Sequence, residues 1–131
     1  MAAVVLLDAI ATALSDASIA GGSTGWDLTK GSIHEEGDKA VTILEAGGGV
    51  PDQDGSGAAE HDFPEFQIRV RGAVFGYEAA RAKMKQVFDT LNNATVSGFV
   101  FIYANSSPLP LGLDDNNRPE IVLNFSAMQE R

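Results

Sequence analysis

The chain has 131 residues, 44% of them apolar and 21% charged, which suffices for one globular domain, residues 1–131, with a hydrophobic core. It contains no cysteine, so disulfides, thiolate nucleophiles and cysteine-based metal centres are excluded. Its net charge is −9, and binding to nucleic acid phosphates normally needs a clustered basic surface. The composition therefore favours partners that are other proteins.

The acidic charge is confined to the first half of the chain. Residues 1–65 hold twelve acidic and two basic side chains, whereas residues 66–131 hold six acidic and seven basic ones. Such an asymmetry indicates either one electronegative face or a surface that serves only solubility.

The chain begins with an apolar segment that predicts a helix over residues 4–15. Leu7, Ile10 and Leu14 recur at helical spacing and would form its buried stripe. The segment lacks the basic start of a signal peptide, and it is too short to span a bilayer. We therefore expect an amphipathic helix and no membrane association.

Two strands and a long loop are predicted next. Trp26–His34 and Ala40–Glu45 flank a polar turn, which predicts a β-hairpin. Residues 46–62 contain five glycines and few large apolar side chains, so we expect a flexible acidic loop. Its acidic side chains are candidate contact residues: Asp52, Asp54, Glu60 and Asp62.

The second half has a clearer pattern. In the predicted strand Phe66–Arg71, alternation places Phe66, Ile68 and Val70 on one face, and Arg69 and Arg71 on the other. We expect these two arginines to contact a partner protein, since acidic side chains are abundant in the same chain.

A helix and two more strands complete the predicted domain. Periodicity predicts a helix over residues 77–91, a central strand over residues 99–103 covered on both faces, and an alternating strand over residues 121–127. The fold class expected from this order is α+β, with a mostly antiparallel sheet backed by two helices.

Groups able to carry catalysis are scarce. The histidines are His34 and His61, and the run Glu60-His61-Asp62 offers three adjacent ligand types whose side chains diverge. We expect no catalytic site, no metal and no cofactor, although a small metal-binding or enzymatic domain using these residues stays an alternative.

Several motifs of the second half occur together in a known family. Phe66–Gly72 leads into the helix that opens at Tyr77, and the strand Gly98–Tyr103 follows. Ser107–Asp114 then leads through Arg118-Pro119 into Ile121–Phe125. Over residues 64–128 this arrangement resembles the tail terminator, or tail completion, proteins of long-tailed bacteriophages. Gly76 departs from the family's tendency towards a better helix-capping residue, which weakens a cap.

The resemblance implies a structural virion protein without catalysis or a cofactor. Its subunits would form a homohexameric ring that caps the tail tube, stops its polymerisation and joins head-completion (neck) proteins, while DNA passes through the lumen without specific binding. It implies a place in the tail or neck of the virion, and in the host cytoplasm during assembly. Asp114 and Arg118 join the candidate contact residues because they lie in the shared motif. Another ring component of the neck, a head-completion or adaptor protein, stays an alternative.

Overall fold

The structure, a computed structural model, describes residues 2–21, 24–31, 38–48, 52–53, 59–62, 64–92 and 101–130. Within these residues the chain forms two helices and one eight-stranded sheet. The helices are α1 (Ala2–Asp16) and α2 (Tyr77–Leu91). The strands are β1 (Asp27–Lys30), β2 (Ala40–Gly48), β3 (Asp52–Gln53), β4 (Ala59–Asp62), β5 (Pro64–Arg71), β6 (Phe101–Ala104), β7 (Leu109–Leu113) and β8 (Pro119–Glu130). The predicted α+β class is confirmed.

The long strand β8 organises the sheet. Strands β1, β2, β5 and β8 follow one another, and β4 continues β5 along the same side of β8. Val122 of β8 pairs with Arg69 of β5 and also with Leu109 of β7. Because a strand has two sides, β7 and β6 lie on the side of β8 away from β5. The sheet thus has β1 at one edge, and β6 and β7 at the other.

The core lies between one face of the sheet and the two helices. The alternation predicted for β5 and β8 is confirmed, because every second residue of each strand faces the core. Phe66, Ile68 and Val70 of β5 are fully buried. The rings of Phe66 and Phe125 stack across β5 and β8, with centroids 5.2 Å apart. Burial of such side chains contributes about 1.5–3 kcal/mol each to stability.

The predicted hairpin between the first two strands is wrong. β1 pairs with β2 in parallel, with Asp27 opposite Ala40 and Lys30 opposite Ile43. A buried bond of 2.8 Å between the Thr29 and Thr42 hydroxyls joins the two strands. Polar residues between two short strands predict a turn, but they do not fix whether the second strand runs antiparallel or returns to run in parallel.

The segment 46–62 contains more regular structure than its composition indicates. β2 extends to Gly48, and β3 and β4 pair with each other so that Asp52 lies opposite His61. The backbone pairs Glu45–Phe66, Gly48–Pro64 and Asp52–His61 belong to the two arms of one long hairpin with register shifts. β4, one arm of this hairpin, also pairs with the last residues of β8. These backbone partners lie far away in the chain, so the composition of residues 46–62 does not predict them. Flexibility of this segment stays a prediction.

The predicted central strand over residues 99–103 is wrong in its position. The described strand, β6, lies at the edge of the sheet on β8, and Tyr103 is exposed. The rings of Phe101 and Tyr103 stack on the same face, 5.7 Å apart, so the aromatic residues cover each other instead of filling a core. Residues 99 and 100 lie outside the described residues.

Helix α2 has the predicted bounds and packs as an amphipathic helix. Ala80, Met84, Val87 and Leu91 are buried against the sheet. Gly76 precedes the helix and makes no side-chain capping bond, as the sequence predicts. Neither described helix has the length and apolar character needed to cross a membrane.

Candidate interaction surfaces

Two of the predicted contact residues, Arg71 and Arg118, are internal to the subunit. Arg71 is 2% exposed, and its Nε donates to the backbone oxygen of Asp38 at 2.9 Å. Arg118 is 4% exposed and lies 2.9 Å from Asp114 and 3.8 Å from Asp38. The expectation that Arg71 is available at the surface is therefore wrong, because Asp38, just before β2, binds both guanidinium groups.

Asp114 and Arg118, four residues apart, form a closed turn. The Asp114 carboxylate accepts bonds from the backbone N–H groups of Asn116 and Arg118 and from the Arg118 Nε. Burial acts to raise the pKa of Asp114, but these hydrogen bonds and the guanidinium charge outweigh it and hold the pKa below its ordinary value. This part of the motif therefore stabilises the β7–β8 connection.

Arg69 lies on the sheet face away from the core. Its Nη1 is 3.6 Å from Glu120, its Nη2 donates to Gln67 at 3.5 Å, and Gln67 in turn donates to Asn124. The Arg69 Nε is buried and has no hydrogen-bond partner among the described residues, although 27% of the side chain is exposed. Arg69 thus has partners within its own chain.

Three of the four acidic candidates of residues 46–62 lie in strands of the long hairpin. Asp52 belongs to β3, and Glu60 and Asp62 belong to β4, whereas Asp54 lies outside the described residues. The alternative metal site involved His61, which lies in β4, and His34, which also lies outside the described residues. Within the described part of the chain, no three histidine or acidic side chains converge on a possible metal position.

Lys83 is a buried charge that the sequence interpretation missed. Its Nζ donates to the Ile19 carbonyl and to Gln86, both at 2.8 Å, and lies 5.2 Å from the centre of the Trp26 ring. Burial, and secondarily the charge of Lys39, lower the pKa of Lys83. The sequence did contain a sign of this burial, because position 83 lies on the same face of α2 as the buried positions 80, 84 and 87. Lys83 connects the end of α1 to α2 inside the subunit.

A groove of ≈ 1010 Å³ runs along the outer face of α2. Tyr77, Arg81 and Phe88 line it from the helix, and residues 104–108 line it from the β6–β7 connection. The Asn92 Oδ1 accepts a bond from the Ala104 N–H at 2.9 Å, which fixes the two walls relative to each other. Arg81 is exposed and has no ion-pair partner among the described residues.

Large apolar side chains are exposed along the β7 edge. Leu109, Leu111 and Leu113 of β7 are about half exposed, as is Val74, and Phe75 is 68% exposed. The Phe75 N–H donates to the Asn117 carbonyl at 2.8 Å, which brings the β5–α2 loop to the β7–β8 turn. We call these five residues the β7 patch. Exposed apolar side chains grouped at one edge of a sheet are typical of interaction sites in soluble proteins.

The sequence matches a family model over residues 13–131, and that family is described as bacteriophage tail terminator protein. A chain from the virion of a native gene transfer agent particle has the same fold, with 20% identity, a TM-score of 0.71 and coverage of 96% of this chain and 95% of that one. A second solved chain is 14% identical, with a TM-score of 0.61 over 92% of this chain and 91% of its own length. No protein of curated function matches the sequence. Because the family model spans most of the chain, this protein belongs to the bacteriophage tail terminator family.

Proposed function

We propose that this chain assembles into a homohexameric ring that caps the phage tail tube, stops its polymerisation and forms the surface to which the head is joined. The observation that carries the proposal is the family match over residues 13–131. The exposed β7 patch supports it, because an isolated subunit gains nothing from displaying these side chains to water. The partners are other copies of the chain, the tail tube protein and a head-completion protein of the neck.

The role is structural, with no reaction and no cofactor. The protein acts in the tail or neck of the virion, and it resides in the host cytoplasm before assembly. The acidic excess of residues 1–65 favours a ring whose lumen repels DNA, so that the genome passes without binding.

The long hairpin is the element that we assign to contacts made on assembly. Asp52, Asp54, Glu60 and Asp62 give it a strongly negative charge, and no lysine or arginine lies between residues 46 and 62. A long charged arm can reach a neighbouring subunit or the tube. Arg69, whose side chain is 27% exposed, is the candidate for a contact on the sheet face.

The proposal is tested by tail assembly with and without the protein. Without it, we expect tubes of uncontrolled length that do not join heads; adding the purified protein restores a uniform length. Electron microscopy measures the length, and the mass per tail end gives the copy number. Tubes of normal length in the absence of the protein contradict the proposal.

The alternative, another ring of the neck, differs in position. A gold label on the chain should lie at the end of headless tails if the protein is the terminator. A label found only on tailless heads would establish the head-completion or adaptor role instead.

A further inference from the structure

The two edges of the sheet carry different surfaces. The edge formed by β7 displays the β7 patch, and β7 has no strand on its outer side among the described residues. The edge formed by β1 lies beside α1, and between them is a groove of ≈ 350 Å³. We call it the α1–β1 groove; it is lined by Ala11, Thr12, Ser15, Asp16, Leu28 and Lys30.

Phe75 is the most exposed member of the β7 patch and has a strained backbone. Its φ is 55°, a left-handed conformation that is costly for a bulky residue. The Asn117 carbonyl and the turn closed by Gly76 N–H to Ala73 hold this conformation. With 68% of the residue exposed, burial within the subunit does not offset the strain. Backbone strain of this kind concentrates at functional sites, and aromatic anchors dominate binding at interfaces.

The α1–β1 groove suits an aromatic side chain in size and surroundings. A cavity of about 150 Å³ already holds a benzene ring, so ≈ 350 Å³ accommodates Phe75. Ala11 and Leu28 offer apolar contacts. Lys30 is paired with Asp8, which leaves Asp16 as an exposed carboxylate at the groove without a partner among the described residues.

We propose that the β7 patch of one copy docks on the α1–β1 groove of a second copy, with Phe75 as the anchor. The inference rests on the proposed ring and names its contact. Because the two surfaces lie at opposite edges of one sheet, each subunit uses both once, which is the head-to-tail arrangement that closes a ring.

Charge complementarity favours a second copy over another partner. The groove offers the exposed carboxylate of Asp16, and the half of the chain that carries the patch holds seven basic side chains against six acidic ones. Arg81 lies one helical turn after Tyr77 in α2, is exposed, and has no ion-pair partner among the described residues, so it is available to Asp16 of the neighbouring copy.

Cysteine crosslinking tests the contact directly, because the natural chain has no cysteine. In the double variant Phe75→Cys/Thr12→Cys, we expect a short bismaleimide to give a ladder of covalent oligomers that ends at the closed ring. The matched control is Lys85→Cys/Thr12→Cys, in which the first cysteine is exposed on α2 outside both surfaces and should give no ladder. Rings visible by electron microscopy without a 75–12 crosslink overturn the proposal.

A second pair of variants guards against loss of folding. Phe75→Gly removes the anchor and relieves the left-handed strain, so the subunit should fold while the midpoint concentration for assembly rises at least tenfold. Ser18→Gly makes the same backbone change at φ 57° outside both surfaces, and it should assemble normally. Arg81→Asp should weaken assembly, and Asp16→Arg in the same chain should restore it.

These experiments distinguish an error in the proposed contact from an error in the proposed ring. If Phe75→Gly assembles like the natural chain, the contact is wrong while the ring stands. If the natural chain forms no ring on tails, the proposed function itself is wrong.

Discussion

The roles of Asp114 and Arg118 show whether the motif shared with the family makes contacts with partners or stabilises the fold. Asp114 and Arg118 look like surface residues in the sequence, since they lie in a polar segment between two strands. In the structure, the carboxylate accepts three hydrogen bonds within its own turn, and the guanidinium is buried. A buried arginine that loses its carboxylate is costly, so the motif is a stability element.

Asp114→Asn should make the subunit less stable and less sensitive to acid. The folded pKa of Asp114 lies below its unfolded value, so its contribution is present above the unfolded pKa, near 4, and is lost as the pH falls through the folded pKa. We expect a loss of about 1–3 kcal/mol at pH 7 that shrinks towards pH 3, measured by urea unfolding. The exposed neighbour provides the control, since Asp115→Asn should change little; an equal loss at both pH values would contradict the assignment.

At the scale of elements, the direction of β1 depends on contacts with β2, and the pattern of apolar residues in the sequence does not predict these contacts. The parallel pairing is fixed by backbone bonds from Asp27 to Lys39 and from Gly31 to Ile43, and by the hydroxyl pair of Thr29 and Thr42. Both threonines are buried, so each hydroxyl depends on the other as its partner.

A double-mutant cycle on Thr29→Val and Thr42→Val tests this dependence. Each single variant leaves one buried hydroxyl without its partner and should cost about 1–3 kcal/mol. The double variant should cost less than the sum of the two, because both polar groups are removed together. Denaturant unfolding of the four proteins gives the coupling; strictly additive losses would show that the hydroxyls do not interact.

At the scale of the whole molecule, folding and assembly draw on different parts of the chain. The core is built from α1, β2, β5, α2, β6 and β8, together with Ile19, Ala20 and Trp26. The exposed side chains of the β7 patch lie outside that core. Changes in the patch should therefore separate assembly from stability.

Replacing residues 52–60 by an Asn-Gly turn should shorten the hairpin with a small effect on folding. We expect a Tm close to that of the full chain, because the replaced residues include no large apolar side chain, and a failure to assemble or to stop tube growth. Thermal unfolding and electron microscopy of tail length measure the two effects. In the full chain, hydrogen exchange of residues 46–62 should be fast in the free subunit and slow in the ring; equal protection would count against an assembly role.

The sequence by itself determined the elements in which local pattern and burial agree. Alternation identified the core face of β5 and β8, and the 3.6-residue period identified α2 with its bounds, because one buried face imposes its period on the residues that form it. The motifs of residues 64–128 were also sufficient to identify the family.

Only the tertiary structure decided which polar residues are internal and which apolar residues are exposed. Arg71 and Lys83 are buried because segments distant in the chain supply carbonyl partners, and no local pattern contains those partners. Arg118 combines a local partner, Asp114, with the distant Asp38. Likewise, β1 is parallel and β7 is an edge strand because strand order depends on long-range pairing with β2 and β8. Pairing and burial at a distance are properties of the folded chain, and local periodicity does not encode them.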